Sequence, residues 1–291
     1  MSQNKIKTFE IKNLVLGMGG IENPRILQIS QQKSVNTNFK SINIGNFWSE
    51  HPHMSCGYIV GDKRKIYQFF KNKLITRDEL LFIATNKDFQ KRNKLNNFMF
   101  KIEYENPEEQ KILIDDLKKC LNKAKKSIKE INLDCALNID VVWEQDRKYE
   151  NKVHLSNEKD SLGLNKVELY YKKNLEDFRI VESSLNGLND FLQINKLGYV
   201  GFKSFINDKI WPNTGEEGIG GNHHLCSTPM GYENEELCVV DKNHKMFNSK
   251  NIYIIGSSVF RTGGFANPTL TITQMSLRFS NYINENKQIF S

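Results

Sequence analysis

The sequence predicts an α/β unit built from the two ends of the chain, together with an α+β unit whose antiparallel sheet comes from the middle. A strand, a glycine-rich turn and a helix start follow one another around position 15 and again around position 255. Between them, residues 131–171 alternate apolar and polar side chains, as half-buried strands do. We therefore expect the two ends to share one sheet and the middle of the chain to be inserted between them.

The first strand is predicted over residues 6–16, where apolar residues alternate and then become continuous. It ends at the glycine-rich run Gly17–Gly20. Asn23 followed by Pro24 suits the N-cap and the first position of a helix. A strand, glycines and a helix N-terminus can hold an anionic group, but the same order also makes a plain strand-to-helix turn.

The middle of the chain is predicted to contain two long helices and three strands. The first helix covers Asn106 to Glu130 and the second Asn174 to Asn195, each with apolar residues at helical spacing. The strands cover Ile131–Val142, Lys152–Ser156 and Lys166–Tyr171. Their succession predicts one antiparallel sheet.

The last quarter of the chain concentrates glycines, a histidine pair and an Asn-Pro-Thr corner. A polar segment with His223 and His224 precedes a strand-like stretch, Cys238–Asp241. A buried strand is predicted over Ile252–Ile255, with a tight exit at Gly256. Polar groups on tight turns beside buried strands are a common way for a scaffold to present chemistry.

A helix start is predicted at Asn267-Pro268-Thr269, by the same logic of Asn followed by Pro. An apolar helical stretch follows it, running to about Ile283. The second strand–turn–helix unit is therefore complete, as the first is.

Composition excludes several classes of protein. The formal net charge of the 291 residues is +7, but the lysines are spread along the chain, which argues against a nucleic-acid partner. The polar N-terminus leads into no signal-type core, and no apolar run is long enough to span a bilayer, so a soluble cytoplasmic protein is expected. The cysteines are odd in number without C-x-x-C spacing, which argues against a disulfide framework and a zinc site. They are Cys56, Cys120, Cys135, Cys226 and Cys238.

Candidate metal ligands occur at Glu50, His51 and His53. The His-Pro-His order places both imidazoles on an extended segment without an i,i+4 partner. A loop leading into a strand is therefore the favoured interpretation, and no metal is predicted.

Several motifs of one known family occur here in the family's order. They are GGIENPRIL from Gly19, EHPH from Glu50, HHLCSTPMG from His223, VVD from Val239, NIYIIGSSVF from Asn251 and NPTLTI from Asn267. Together they resemble the carboxy-terminal portion of the glucose–methanol–choline (GMC) flavin oxidoreductases. The resemblance extends from about Ile11 to Ile283, nearly the whole chain.

The resemblance implies an FAD-dependent oxidoreductase that acts on CH–OH groups of an alcohol or sugar-like substrate. It implies His223 as the base, because His223 occupies the histidine of the family's H-x-x-G-T motif, and Asn267 as the partner that hydrogen-bonds the substrate oxygen. Adjacent residues of an extended segment point opposite ways, so His224 is the less suitable base. The implied cofactor-binding residues are Gly20, Asn23, Asn222, Gly256, Ser257, Asn267, Pro268 and Thr269.

The resemblance also implies a domain division and a partial site. Residues 1–45 would be a partial FAD-binding segment, 46–215 an antiparallel-sheet substrate-binding domain, and 216–291 the carboxy-terminal FAD-binding and catalytic segment. The family's ADP-binding βαβ unit would lie before Ile11, and no G-x-G-x-x-G occurs in the sequence. A separate chain carrying that dinucleotide-binding half is therefore an implied partner.

The sequence departs from the family pattern near the histidines. Cys226 stands at the family's glycine, Ser227 at its threonine and Pro229 at its arginine. Pro229 removes a charge and fixes a turn, which puts the local geometry in question.

Three functions stay open from the sequence. The first is the flavoenzyme that needs the missing half, and the second is an inactive remnant that serves as a binding or structural domain. The third is a metal hydrolase, whose ligands would be His51, His53, His223 and His224. A bound-flavin spectrum would favour the first, and tight zinc in the purified protein the third.

Overall fold

The computed structural model describes residues 7–40, 42–70, 81–123, 131–148, 150–212, 221–232 and 237–290. The chain forms two compact units. The first unit comprises Met1–Glu50, Asp146–Lys172 and Asn222–Ser291, and the second comprises His51–Gln145 and Lys173–Gly221. Both ends of the chain therefore belong to one unit, as the sequence predicts.

The strands are β1 Leu14–Leu16, β2 His53–Gly61, β3 Leu81–Ala84, β4 Phe98–Tyr104, β5 Cys135–Trp143, β6 Lys152–Lys159, β7 Asn165–Tyr170, β8 Gly198–Phe202 and β9 Ile252–Ile254. The helices are α1 Gly19–Lys33, α2 Thr37–Lys40, α3 Lys63–Phe69, α4 Lys87–Asn93, α5 Pro107–Lys123, α6 Leu175–Ile194, α7 Ser204–Asp208, α8 Thr269–Glu285 and α9 Lys287–Phe290. A 3-10 turn covers Ser257–Val259. No helix among the described residues has both the length and the apolar character needed to cross a membrane.

The second unit is built on a five-stranded sheet with the order β3-β4-β5-β2-β8. Each neighbouring pair is antiparallel, so the middle of the chain contains an antiparallel sheet as predicted, although β5 is the one strand of the three predicted that belongs to it. The central strand β5 is almost entirely buried, because it has a partner strand on either side. Leu185 and Leu188 of α6 belong to the main core of this sheet, and Leu117 of α5 belongs to a second, smaller cluster.

Helix α6 starts where the sequence predicts, at Asn174. The Asn174 side chain accepts a hydrogen bond from the backbone N–H of Asp177, and the Asp177 carboxylate accepts one from the backbone N–H of Asn174, which is a capping box. The same carboxylate accepts from Trp143 Nε1 at 2.8 Å and from Gln145 Nε2 at 3.3 Å. Burial raises the pKa of Asp177 even though these donors favour its charged form. This one side chain therefore joins the start of α6 to β5.

The first unit contains the sheet that joins the two ends of the chain. Strands β1 and β9 are parallel, with Leu14 opposite Ile252 and Leu16 opposite Ile254. The prediction that both ends share one sheet is confirmed. The first strand is shorter than predicted, because residues 7–13 form no ladder with another described strand.

The hairpin β6–β7 belongs to the first unit. It forms its own two-stranded sheet, so the prediction of one continuous antiparallel sheet over 131–171 is wrong. Helix α1 holds the hairpin: Arg25 Nη2 lies 2.5 Å from Asp160 Oδ2, and Gln28 Nε2 donates to the Val153 carbonyl at 2.8 Å. The compact units therefore divide the predicted 46–215 segment, since residues 146–172 pack with the chain ends.

The predicted strand at Cys238–Asp241 is not a strand. Val240 forms only isolated bridges, parallel to Met230 and antiparallel to Met246. Val239 and Val240 are fully buried with Ile254 in the core of the first unit. Their apolar character therefore reflects burial in a loop.

Candidate functional site

The candidate site lies at the carboxyl ends of β1 and β9. Because these strands are parallel, the turns that follow them, Gly17–Gly20 and Gly256–Ser258, meet at one edge of the sheet. The Ile255 N–H continues the pairing by donating to the Leu16 carbonyl at 2.9 Å. In open α/β sheets, ligands bind outside the carboxyl ends of the strands.

Helix α1 begins at Gly19, so the prediction of Asn23 as its N-cap is wrong. Pro24 lies inside the helix and has no N–H, so the carbonyl four residues earlier, that of Gly20, lacks its usual intrahelical donor. The Ser227 hydroxyl donates to this carbonyl at 2.7 Å. The proline therefore leaves the Gly20 carbonyl free of an intrahelical bond, and this carbonyl binds Ser227, which follows the histidines.

Asn23 is a cross-link between the two strand ends. Its side chain is fully buried, and Oδ1 accepts from the Met18 N–H at 2.9 Å. Its Nδ2 donates to Ser258 Oγ at 2.9 Å and to the Ile255 carbonyl at 3.2 Å. These hydrogen bonds use the amide within the protein, whereas its predicted role in cofactor binding stays a prediction.

Residues 222–230, which we call the histidine segment, contact both α1 and the turn after β9. The Ser257 hydroxyl donates to the His224 carbonyl at 2.7 Å, and the Cys226 N–H donates to the Ser257 carbonyl at 3.2 Å. A Cβ on Gly20 would lie 2.3 Å from the His224 carbonyl oxygen, so only glycine fits at this contact. Gly20 and Ser257, both predicted to bind the cofactor, therefore meet at the backbone of His224, the residue after the predicted base His223.

Burial lowers the pKa of both His223 and His224, and a proton on His223 would lower the pKa of His224 further. Both imidazoles are therefore neutral at pH 7 and able to accept a proton. The two rings differ in surroundings. His224 packs 5.6 Å from the ring of Trp48, and its buried Nδ1 has no hydrogen-bond partner among the described residues.

Asn267, Pro268 and Thr269 form the start of α8. The helix begins at Thr269, one residue later than the Asn-Pro pattern suggests, and Pro268 is the N-cap residue without a side-chain cap. Asn267 is exposed, and its amide forms no hydrogen bond with another described residue. No hydrogen bond within the described part of the chain joins it to His223, so their pairing stays a prediction.

Backbone conformation marks the residues around the histidines. Asn222 and Cys226 adopt left-handed φ angles of 55° and 65°. Cys226 stands where the family motif has glycine, the residue that adopts this conformation without strain. Gly256 has φ 98° and ψ −167°, a region that only glycine occupies readily.

The residues present fit part of an FAD molecule. A Cβ added at Gly19, Gly256 or Gly264 would meet no atom within 4 Å, so three glycines leave open backbone surface for a flat ring. The first turn of α8 carries backbone N–H groups without intrahelical partners, which suit the polar edge of such a ring. The sequence contains no glycine fingerprint for the pyrophosphate.

Some residues of this site carry no signal in the sequence. The hydrogen bonds from Ser227 to Gly20 and from Asn23 to Ser258 join residues more than 200 positions apart. Trp48, which is fully buried beside His224, was also missed. The one available sign was the hydroxyl of Ser227 at the position of the family's threonine. Either hydroxyl can donate a hydrogen bond to a carbonyl.

Solved structures show where this fold occurs. A structure of pyridoxine 4-oxidase from Mesorbium loti has a TM-score of 0.53 and 12% identity, with 94% of this chain and 52% of that chain covered. Two formate oxidase structures, one of them from Aspergillus oryzae and described by its FAD modification, each give a TM-score of 0.56 at 12% identity. They cover 96% of this chain and 55% of those chains. No curated protein matches the sequence.

The fold is thus similar to that of part of pyridoxine 4-oxidase and of formate oxidase, and the chain spans about half the length of these solved proteins. The family model of GMC oxidoreductase matches residues 148–276, which contain the histidine segment and the start of α8. The resemblance to the carboxy-terminal portion of the GMC oxidoreductases is therefore confirmed. FAD is the cofactor of that family.

Proposed function

We propose that this chain is the substrate-binding and catalytic portion of an FAD-dependent oxidoreductase that acts on a CH–OH group of an alcohol or sugar-like substrate. One observation carries the proposal. The histidine segment is hydrogen-bonded to Gly20 at the start of α1 and to Ser257 in the turn after β9. Both contacts lie at the carboxyl edge of a parallel sheet. That edge is where an α/β fold places a ligand.

The protein contributes a base and an orienting group. His223 is neutral because burial lowers its pKa, so its imidazole accepts the proton of the substrate hydroxyl. Asn267 donates a hydrogen bond from its exposed amide to the same oxygen. Bound FAD would supply the acceptor for the hydride of the substrate carbon.

The cofactor would be held by the glycines and helix starts at this edge. Gly20, Gly256 and Ser257 would lie along the flavin, and Asn222 and Asn23 would border it. Pro268 and Thr269 form the start of α8, whose first backbone N–H groups would stabilise negative charge on the flavin. Gly256 has no side chain and faces open space, so it does not obstruct a planar ring.

The cofactor site requires a dinucleotide-binding segment that residues 1–291 do not contain. Such a segment is carried either by the same polypeptide or by a separate chain. Within the described residues, β1 and β9 form only a two-stranded parallel sheet, whereas parallel sheets normally have more strands and covered faces. Val15 of β1 and Leu270 of α8 are exposed apolar residues, at 42% and 70%. Exposed apolar side chains of this kind suit packing against further strands and helices.

A catalytically inactive remnant is the second candidate function. The observation that favours it is the departure from the family's motif beside the histidines, where Cys226 replaces the glycine at a left-handed φ of 65° and Pro229 replaces the arginine. In this case the chain would serve as a binding or structural domain.

Flavin spectroscopy separates the two candidates. The purified chain is incubated with FAD alone and with FAD plus a polypeptide that carries the βαβ unit of a GMC oxidoreductase. We expect a bound-flavin absorption spectrum with the complement, and bleaching of that spectrum by an alcohol or sugar substrate.

The catalytic role of His223 is tested in the same assay. His223→Ala should abolish the bleaching and retain the bound-flavin spectrum, because the proton acceptor is lost while the glycine edge remains. His154→Ala, in the hairpin β6–β7, is the matched control and should bleach like wild type. Absence of bound flavin under both conditions would establish the remnant.

A further inference from the structure

The second unit contains a cavity of about 360 Å³ that the proposed chemistry does not use. It lies between α6 and the β3–β4 edge of the five-stranded sheet, with α4 as its third wall. Sites for small ligands typically measure about 300–1,000 Å³, so this volume suits one small molecule. The most frequent residue in the lining is phenylalanine: Phe70, Phe89, Phe98, Phe100 and Phe191.

The aromatic walls are held by close packing. The rings of Phe98 and Phe100 are nearly buried and meet edge to face at 5.5 Å, and Phe89 meets Phe98 in the same way at 6.3 Å. Gly187 stands in the interior of α6, where glycine weakens a helix. A Cβ there would lie 2.4 Å from the Phe89 ring, so the glycine allows α4 to bring Phe89 to the cavity wall.

The polar groups of the cavity are few. Arg92 is the one ionisable residue among the described lining residues. Its Nε donates to the Asp88 carbonyl at 3.4 Å, and within the described parts of the chain its terminal nitrogens have no carboxylate partner. Ser184 is buried and donates to the Val181 carbonyl at 2.7 Å, which leaves its oxygen able to accept a hydrogen bond.

We propose that this cavity binds a small aromatic carboxylate. The aromatic ring packs among the phenylalanines, where edge-to-face contacts favour a ring over an aliphatic chain. The carboxylate binds the Arg92 guanidinium, whose paired N–H groups match its two oxygens. The phenylalanine walls therefore select the ring of the ligand, and the single cation selects its carboxylate.

Isothermal titration calorimetry of residues 1–291 with 3-phenylpropionate tests the site without FAD, so the result is independent of the flavin proposal. We expect saturable binding of 3-phenylpropionate and at least tenfold weaker binding of 3-phenylpropan-1-ol, which has the ring without the charge. Arg92→Gln should weaken binding of the carboxylate about tenfold and leave the alcohol unaffected, because a charge-assisted hydrogen bond is lost. Lys91→Gln, the adjacent exposed residue of α4, is the matched control and should bind like wild type.

A second variant tests the place of binding. Ala84 lines the cavity from the exposed end of β3, and Ala84→Phe adds a ring that occupies it while suiting a strand. Folding is checked by circular dichroism, and binding of 3-phenylpropionate should be lost. Absence of saturable binding to wild type, equal binding by Arg92→Gln, or unchanged binding by folded Ala84→Phe would each overturn the proposal.

Discussion

The two units of this chain complete their cores to different extents. In the second unit, Leu137 and Ile139 of β5 are at most 1% exposed, because strands flank β5 and helices cover the sheet. In the first unit, Leu14 and Val15 of β1 are 37% and 42% exposed, since the described sheet has only two strands. The first unit therefore combines the candidate site with exposed apolar residues on its sheet. In the second unit, the apolar residues of the central strand are buried.

This difference predicts where substitutions act. Changes at the core of the second unit should reduce the free energy of unfolding most. Changes at the edge of the first unit should act mainly on the arrangement of the histidine segment, which is held by a few hydrogen bonds.

The largest effect is expected for Asp177→Ala. This substitution removes half of the capping box of α6 and leaves the buried Trp143 Nε1–H without its acceptor. Loss of a cap and of a buried acceptor together should cost about 3 kcal/mol of unfolding free energy. Urea denaturation followed by tryptophan fluorescence measures it. Asn186→Ala, exposed on the same helix, is the control and should change stability little; a loss below about 1 kcal/mol for Asp177→Ala would contradict the assigned role of this carboxylate.

A smaller effect is expected for Gly20→Ala. The added Cβ would lie 2.3 Å from the His224 carbonyl oxygen, so the histidine segment must move. Overpacking of this kind should cost about 2 kcal/mol. It should also shift the imidazole NMR signals of His223 and His224.

Ser30→Ala is the control for Gly20→Ala, because Ser30 is exposed on α1 and bonds only its own helix. Unchanged imidazole signals in Gly20→Ala would show that the start of α1 does not position the histidines.

The smallest effect is expected from pH. Burial lowers the pKa of His223, His224 and His244 in the folded state below the ordinary value of about 6.5. The unfolded chain therefore binds more protons as the pH falls below about 6.5, and stability is lost on acidification, whereas it is unaffected above that pH. The urea concentration at the midpoint of unfolding should be lower at pH 5.5 than at pH 7.5.

His244 allows the source of this pH dependence to be tested. Its buried ring has Nδ1 2.9 Å from the Ile254 carbonyl and Nε2 3.3 Å from Arg278 Nη2, with Asp241 also nearby. A proton on Nε2 would oppose the Arg278 guanidinium. His244→Asn, which tolerates the left-handed φ of 69°, should reduce the pH slope. An unchanged slope would assign the effect to other groups.

The sequence predicts well wherever a local pattern is sufficient. The cap at Asn174 and the apolar spacing after it define α6, and alternation defines β5. The pattern places the helix start near Asn23 incorrectly, because Asn followed by Pro imitates an N-cap and α1 begins at Gly19. In the structure Asn23 instead bonds Ile255 and Ser258, and no local rule reveals partners so distant in the chain.

Local sequence patterns predict the strand–turn–helix units at both ends and the central antiparallel strands. These depend on backbone preferences and side-chain periodicity, which act over a few residues. Two contacts, in contrast, depend on the packing of the folded chain: the β6–β7 hairpin packs on α1, and the Ser227 hydroxyl donates to the Gly20 carbonyl. Such contacts depend on which buried polar groups meet after folding, because each must find a partner once water is excluded.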